Sequence, residues 1–152
     1  MERKRVYLCL AHMSGKEMDY IKEAFDTNWV VPLGPNVNGF EKDLEEFVGE
    51  EKRVVALSSG TSAVHLSLIA CGVGAGDEVM VQSFTFCASS NPVKYLGAIP
   101  VFVDSERDTW NMDPQLLDEA IADRVAKTGC KPKAIIVVYL YGMPAKISEL
   151  LA

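Results

Sequence analysis

Paired cysteines and clustered histidines are both missing from this 152-residue chain. The four cysteines, Cys9, Cys71, Cys87 and Cys130, are widely spaced and form no C-x-x-C unit, which removes the usual zinc-ribbon and dithiol-redox readings. Cys71 and Cys87 sit in apolar segments, where a reduced thiol behaves as a small hydrophobe. His12 and His65 lack ligand spacing, so no metal site is expected. No hydrophobic run is long enough to span a membrane. The apolar stretch at 6–11, behind the charged start Met-Glu-Arg-Lys-Arg, is also too short for a signal-peptide core, and a cytoplasmic protein is expected. Basic charge is scarce as well. With 21 acidic and 15 basic side chains the formal charge is -6, which argues against the basic face that nucleic acid requires. There is no G-x-x-x-x-G-K-[ST] loop. Gly72-x-Gly74-x-Gly76 follows a helical pattern instead of opening one, so it reads as a turn and not a dinucleotide fingerprint.

What is present is an ordinary globular composition, 49% hydrophobic and 24% charged, in a chain with room for one domain. Two regimes are expected, residues 1–52 and 53–152. In the first, Ser14 and Glu17 have capping-box spacing ahead of a helix through Tyr20, Ile21, Ala24 and Phe25. A loop rich in Pro, Gly and Asn follows at 31–39. Phe40, Leu44, Phe47 and Val48 then recur at helical spacing.

From residue 53 the pattern becomes strand–helix alternation. Short apolar runs at 54–57, 78–82, 100–104 and 134–141 predict strands, and 61–71, roughly 86–96 and 114–127 predict helices. Asp113 is placed to cap the third helix, with Pro114 at its first position. Glycines at 72–76 and Gly97 stop the other two. Strands apolar throughout, separated by helices, predict an α/β fold: a mostly parallel sheet with helices on both faces. The run at 134–141 is the most hydrophobic and is expected to be central. Only one more helix start follows it, so the chain is expected to be truncated within a larger domain.

Open α/β sheets bind ligands beyond the carboxyl ends of their strands. There the first strand delivers Ser58-Ser-Gly-Thr-Ser62 into a helix. Gly60 permits close backbone approach, Thr61 and Ser62 offer hydroxyls, and the helix start offers free N–H groups. Taken alone, the pentapeptide reads more readily as a helix cap than as a phosphate cradle. The second strand delivers Phe84 and Phe86, whose alternation would turn one inward and leave the other for a ligand. Each alone reads as core. Cradle and ring together suit a planar phosphorylated cofactor.

Several runs resemble the DegT–StrS family of sugar-nucleotide aminotransferases, in that family's order and spacing and over nearly the whole chain. They are residues 58–68, the Gly-Ala-Gly-Asp-Glu-Val turn at 74–79, Thr85-Phe86 with Ala88, Pro100-Val-Phe-Val-Asp104, Thr109-Trp-Asn-Met-Asp113 and Leu140-Tyr-Gly-Met-Pro-Ala145. Gly34-Pro35 and Phe40-Glu41 resemble its entry loop and helix. The resemblance implies a pyridoxal-phosphate (PLP) enzyme of aspartate-aminotransferase fold type I, usually a homodimer. It implies amino transfer, commonly from glutamate, to a keto-sugar nucleotide. It also implies that Gly60, Thr61 and Ser62 hold the cofactor phosphate and that Phe86 stacks on the pyridine ring, with Gly34-Pro35 near the substrate side. The family's pyridine-pairing aspartate and Schiff-base lysine match no position here. Lys94 and Lys146 are the nearest candidates and read better as solvated helix residues, and Asp104 matches a different family position. Tyr139 stands where many members have His. Alone, the chain is therefore expected to be inactive and to bind PLP weakly or not at all. Two other readings stay open: a non-catalytic α/β binding or regulatory module, and a PLP-dependent sugar dehydratase of the same fold.

Overall fold

A computed structural model describes residues 4–7, 11–49 and 51–152. Cys9 and part of the apolar run at 6–11 lie outside them. The chain divides into two compact units between Ala56 and Leu57.

In the first unit, α1 (Glu17–Asp26) starts under the Glu17 carboxylate, which accepts the N–H groups of Ser14 (2.6 Å) and Gly15 (2.9 Å). Only half of the expected capping box forms. The helix opens at Glu17 itself, so the Ser14 hydroxyl accepts the Lys16 N–H (3.2 Å) instead. α2 (Pro35–Val48) begins behind Gly34, whose φ of 131° suits glycine alone. A Cβ there would also come within 2.9 Å of the Trp29 ring.

Residues 54–57, expected as a strand, pair with no other strand among the described residues. Their donors are met differently. Glu45 and Glu41, one turn apart on α2, accept the N–H groups of Val54 (3.1 Å) and Ala56 (2.8 Å). The alternate spacing is that of an extended chain, with two carboxylates in place of a neighbouring strand.

The second unit is doubly wound. Its strands β1 (Glu78–Gln82), β2 (Ile99–Val103) and β3 (Ala134–Ile136) form a parallel sheet in the order β2-β1-β3. β1 is therefore the central strand here, and Val79, Met80 and Val81 are fully buried. The strand expected at 134–141 ladders only as far as Ile136, because β1 ends one residue past that partner and turns away. β2 lies one residue earlier than expected.

Alternation along β1 sorts the core. Val79 and Val81 join Leu68 of α3 (Gly60–Ala70) and Val93 of α4 (Asn91–Tyr95) on one face. On the other, Met80 joins Leu117 of α5 (Pro114–Thr128) and Leu150 of α6 (Ile147–Leu150). Each such side chain contributes about 1.5–3 kcal/mol by leaving water. The Asp113 carboxylate caps α5 through the N–H groups of Gln115 and Leu116, with Pro114 behind it, as expected.

The helix expected at 86–96 is broken into a 3-10 turn (Cys87–Ser89) and the short α4. Pro92 is the cause. It lacks the N–H an α-helix would direct at Ala88, and its ring crowds that carbonyl.

Candidate functional site

Ser59 opens α3 from an extended backbone. Its hydroxyl accepts the Ser62 N–H at 3.2 Å and lies 3.0 Å from the Ser62 hydroxyl, so the cap read from the sequence forms. The cap leaves room for more. The N–H groups of Gly60 and Thr61 belong to the first helical turn, where no intrahelical acceptor exists. Gly60 is exposed, its φ lies outside the left-handed region, and a Cβ built on it meets nothing within 4 Å. Neither backbone conformation nor packing explains a glycine there. A helix N-terminus of this kind, with its dipole and free N–H groups, is suited to an anion.

Phe86 immediately precedes the 3-10 turn and is 76% exposed. The strict alternation expected beyond β1 fails, since the strand stops at Gln82 and the chain bends. Phe84 therefore does not enter the interior. It is 45% exposed and meets Trp110 edge to face at 6.0 Å. α3 packs against both the 3-10 turn and α4, and His65 meets Tyr95 edge to face at 5.7 Å. The helix carrying the candidate cradle and the turn carrying the candidate ring are thus neighbours in the fold.

Two buried amides, which sequence reasoning missed, tie the strand exits together. Gln82, fully buried, donates to the carbonyls of Phe84 (2.7 Å) and Trp110 (3.4 Å) and accepts the Met112 N–H (2.9 Å). Asn111, also fully buried, donates to the Met143 carbonyl and accepts the Leu140 N–H, both at 2.8 Å. For Gln82 the sequence signal was a neutral polar residue closing an apolar strand; Asn111, between β2 and α5, had none. Trp110 stands between them at φ 63°, strained for a residue with a large side chain, and is 61% exposed. Concavities of about 440 and 560 Å³ flank the Phe84–Trp110 pair.

Three of the charged groups nearby, Glu106, Asp108 and Lys146, are engaged with one another. Glu106 accepts the hydroxyl of Thr109 and the N–H groups of Asp108 (2.7 Å) and Thr109 (2.8 Å), with Lys146 at 3.3 Å. These contacts, the Thr109 hydroxyl foremost, hold its carboxyl at about 2. Asp108 (2.9 Å), then Glu106, push the Lys146 ammonium up to about 12. A lysine held that firmly protonated is a poor nucleophile. Lys94 is exposed in the last turn of α4. Asp104 accepts the Ser83 hydroxyl (3.2 Å) and the Ser105 N–H (2.8 Å), so it ties the exits of β1 and β2 together. Tyr139 is 48% exposed at the start of the turn Leu140–Gly142.

Residues 11–152 match the DegT/DnrJ/EryC1/StrS aminotransferase family. EpsN of Bacillus subtilis strain 168, provisionally named a pyridoxal phosphate-dependent aminotransferase, is 51% identical over 149 residues, covering 98% of this chain and 38% of EpsN. A GDP-perosamine synthase of Caulobacter vibrioides is 39% identical over 147 residues, covering 97% of this chain and 38% of that protein. Among solved structures, the PLP form of Spr1654 from Streptococcus pneumoniae, provisionally titled a sugar aminotransferase, superposes with a TM-score of 0.76 at 31% identity. That match covers 92% of this chain and 33% of Spr1654. The chain thus spans little more than a third of the length of the relatives it matches.

Proposed function

The chain belongs to the DegT/DnrJ/EryC1/StrS aminotransferase family, and from that premise we propose that it forms the amino-terminal part of a PLP-dependent aminotransferase acting on a keto-sugar nucleotide, with glutamate as amino donor. The observation that carries the reading is the start of α3, where a glycine that neither packing nor backbone conformation explains stands in the first helical turn beside a helix-capping serine. The residues fit the coenzyme. Gly60 and Thr61 would bind its phosphate through backbone N–H groups, Ser62 would add its hydroxyl, and Phe86 would offer the pyridine a flat apolar surface. When bound, PLP supplies the electron sink that amino transfer requires. The chain's own contribution is to bind and orient. The helix dipole neutralises part of the phosphate charge, and the exposed ring of Phe86 keeps water from one face.

The named activity of the Caulobacter relative supports a sugar nucleotide as substrate. A homodimer working in the cytoplasm, with Gly34-Pro35 near the substrate side, belongs to the same proposal. The covalent lysine and the pyridine-pairing aspartate match no position in these 152 residues, and Lys146 is ion-paired. The 152-residue chain by itself is therefore expected to transfer no amino group. Incubation with PLP, borohydride reduction and mass analysis tests this directly. The expected result is no stoichiometric adduct on the 152-residue chain and a single reduced adduct on the full-length protein. A stoichiometric adduct on one lysine of the short chain would contradict it.

A further inference from the structure

Gln82 is fully buried, yet every polar atom of its side chain is engaged. Its amide nitrogen closes the turn after β1 by donating to the Phe84 carbonyl at 2.7 Å. Its oxygen accepts the Met112 N–H at 2.9 Å, on the segment that follows β2. One side chain therefore joins the exit of the central strand to the exit of its neighbour. The same turn continues into Thr85, whose hydroxyl lies 2.9 Å from that of Ser89, and into Phe86, whose carbonyl accepts the Ser89 N–H at 3.0 Å. Phe86 itself is 76% exposed, so no packing of its own ring fixes it. Its place is set by the backbone on which it stands, and that backbone is held on its β1 side by Gln82.

We propose that Gln82 is a positioning residue for the coenzyme. By fixing the Ser83-Phe84-Thr85 turn against the segment after β2, it sets the height and angle at which Phe86 meets a flat ring. This rests on the coenzyme reading of Phe86 and Gly60 given above. An isosteric apolar side chain at 82 fills the same volume but leaves the Phe84 carbonyl and the Met112 N–H without their partners, so the turn relaxes and Phe86 loses its fixed seat.

The experiment is a double-mutant cycle in the full-length protein, read as PLP affinity by titration of the apoprotein and, in parallel, as thermal midpoint. Gln82→Met and Phe86→Ala are each expected to weaken PLP about tenfold, on the scale of one lost hydrogen bond or one lost ring contact. In the double variant, affinity is expected to be no weaker than in Phe86→Ala alone, because Gln82 acts through that ring. Gln82→Leu, apolar and slightly smaller, serves where Gln82→Met does not fold. It too leaves the Phe84 and Trp110 carbonyls and the Met112 N–H without their partners and is expected to weaken PLP similarly. Losses that multiply in the double variant, or unchanged affinity in Gln82→Met beside a lowered thermal midpoint, would overturn the role and leave the cofactor site standing. A wild-type apoprotein that takes up no PLP would overturn both.

Discussion

Glycine at position 60 is the residue for which the fold offers no reason. It takes neither a left-handed conformation nor a crowded position, and alanine would stiffen the unfolded chain and favour the helix. Gly60→Ala is therefore expected to leave the thermal midpoint unchanged or slightly raised, while weakening PLP binding by the full-length protein. Differential scanning fluorimetry beside a PLP titration separates the two effects, and a lowered midpoint with unchanged affinity would show that Gly60 serves the fold. Glu106 gives a second expectation at this scale. Its carboxyl is held at about 2, against an ordinary 4.5, by the Thr109 hydroxyl and its other donors. A depressed carboxylate contributes stability that is full above pH 4.5 and disappears as pH falls toward 2. Glu106→Gln is thus expected to flatten the acid limb of an unfolding curve between those values. Glu17, held at about 2 by its own N–H and that of Ser14, would leave a residual slope. A limb of unchanged steepness would refute the assignment.

Elements hold this site through their ends. Asp113 supplies two accepted hydrogen bonds at the start of α5, so Asp113→Ala should cost about 1 kcal/mol of stability, read from the shift of a chemical-denaturation midpoint. A loss below about 0.3 kcal/mol would show that Pro114 alone sets the helix start. That cap was legible in advance because Asp-Pro ahead of a helical pattern is a local signal. β1 was legible for the same kind of reason, as Glu-Val-Met-Val-Gln is apolar on both faces. Residues 54–57 were not, since a strand exists only where a neighbour pairs with it, and carboxylates on α2 take that place here. The break at Pro92 could have been read, because proline's missing donor is a property of the sequence itself. The roles of Gln82 and Asn111 could not. Each depends on which loops the sheet brings together, and no spacing within the chain encodes that. The candidate cradle at Gly60 was visible as a motif, but only the fold shows that its glycine is unneeded for packing.

In the second unit a parallel sheet carries a helix pair on each face, and Gln82 and Asp104 tie together the segments that leave β1 and β2. Along its outer side, β3 pairs with no strand among the described residues. Ile135 is 40% exposed, and an apolar groove of about 330 Å³ runs between β3 and α3. An open apolar edge promotes pairing between chains. The 152-residue chain alone is therefore expected to self-associate as its concentration rises, and Ile135→Lys to reduce this in sedimentation velocity. Equal association in both would place the contact elsewhere.

The coenzyme's phosphate and ring are expected to come to rest at the start of α3 and on Phe86. A crystal structure of the full-length protein with PLP tests this. The expected result is the phosphate on the N–H groups of Gly60 and Thr61, within reach of the Ser62 hydroxyl, and the pyridine ring lying against Phe86. A PLP bound elsewhere, with the start of α3 facing only solvent, would contradict it.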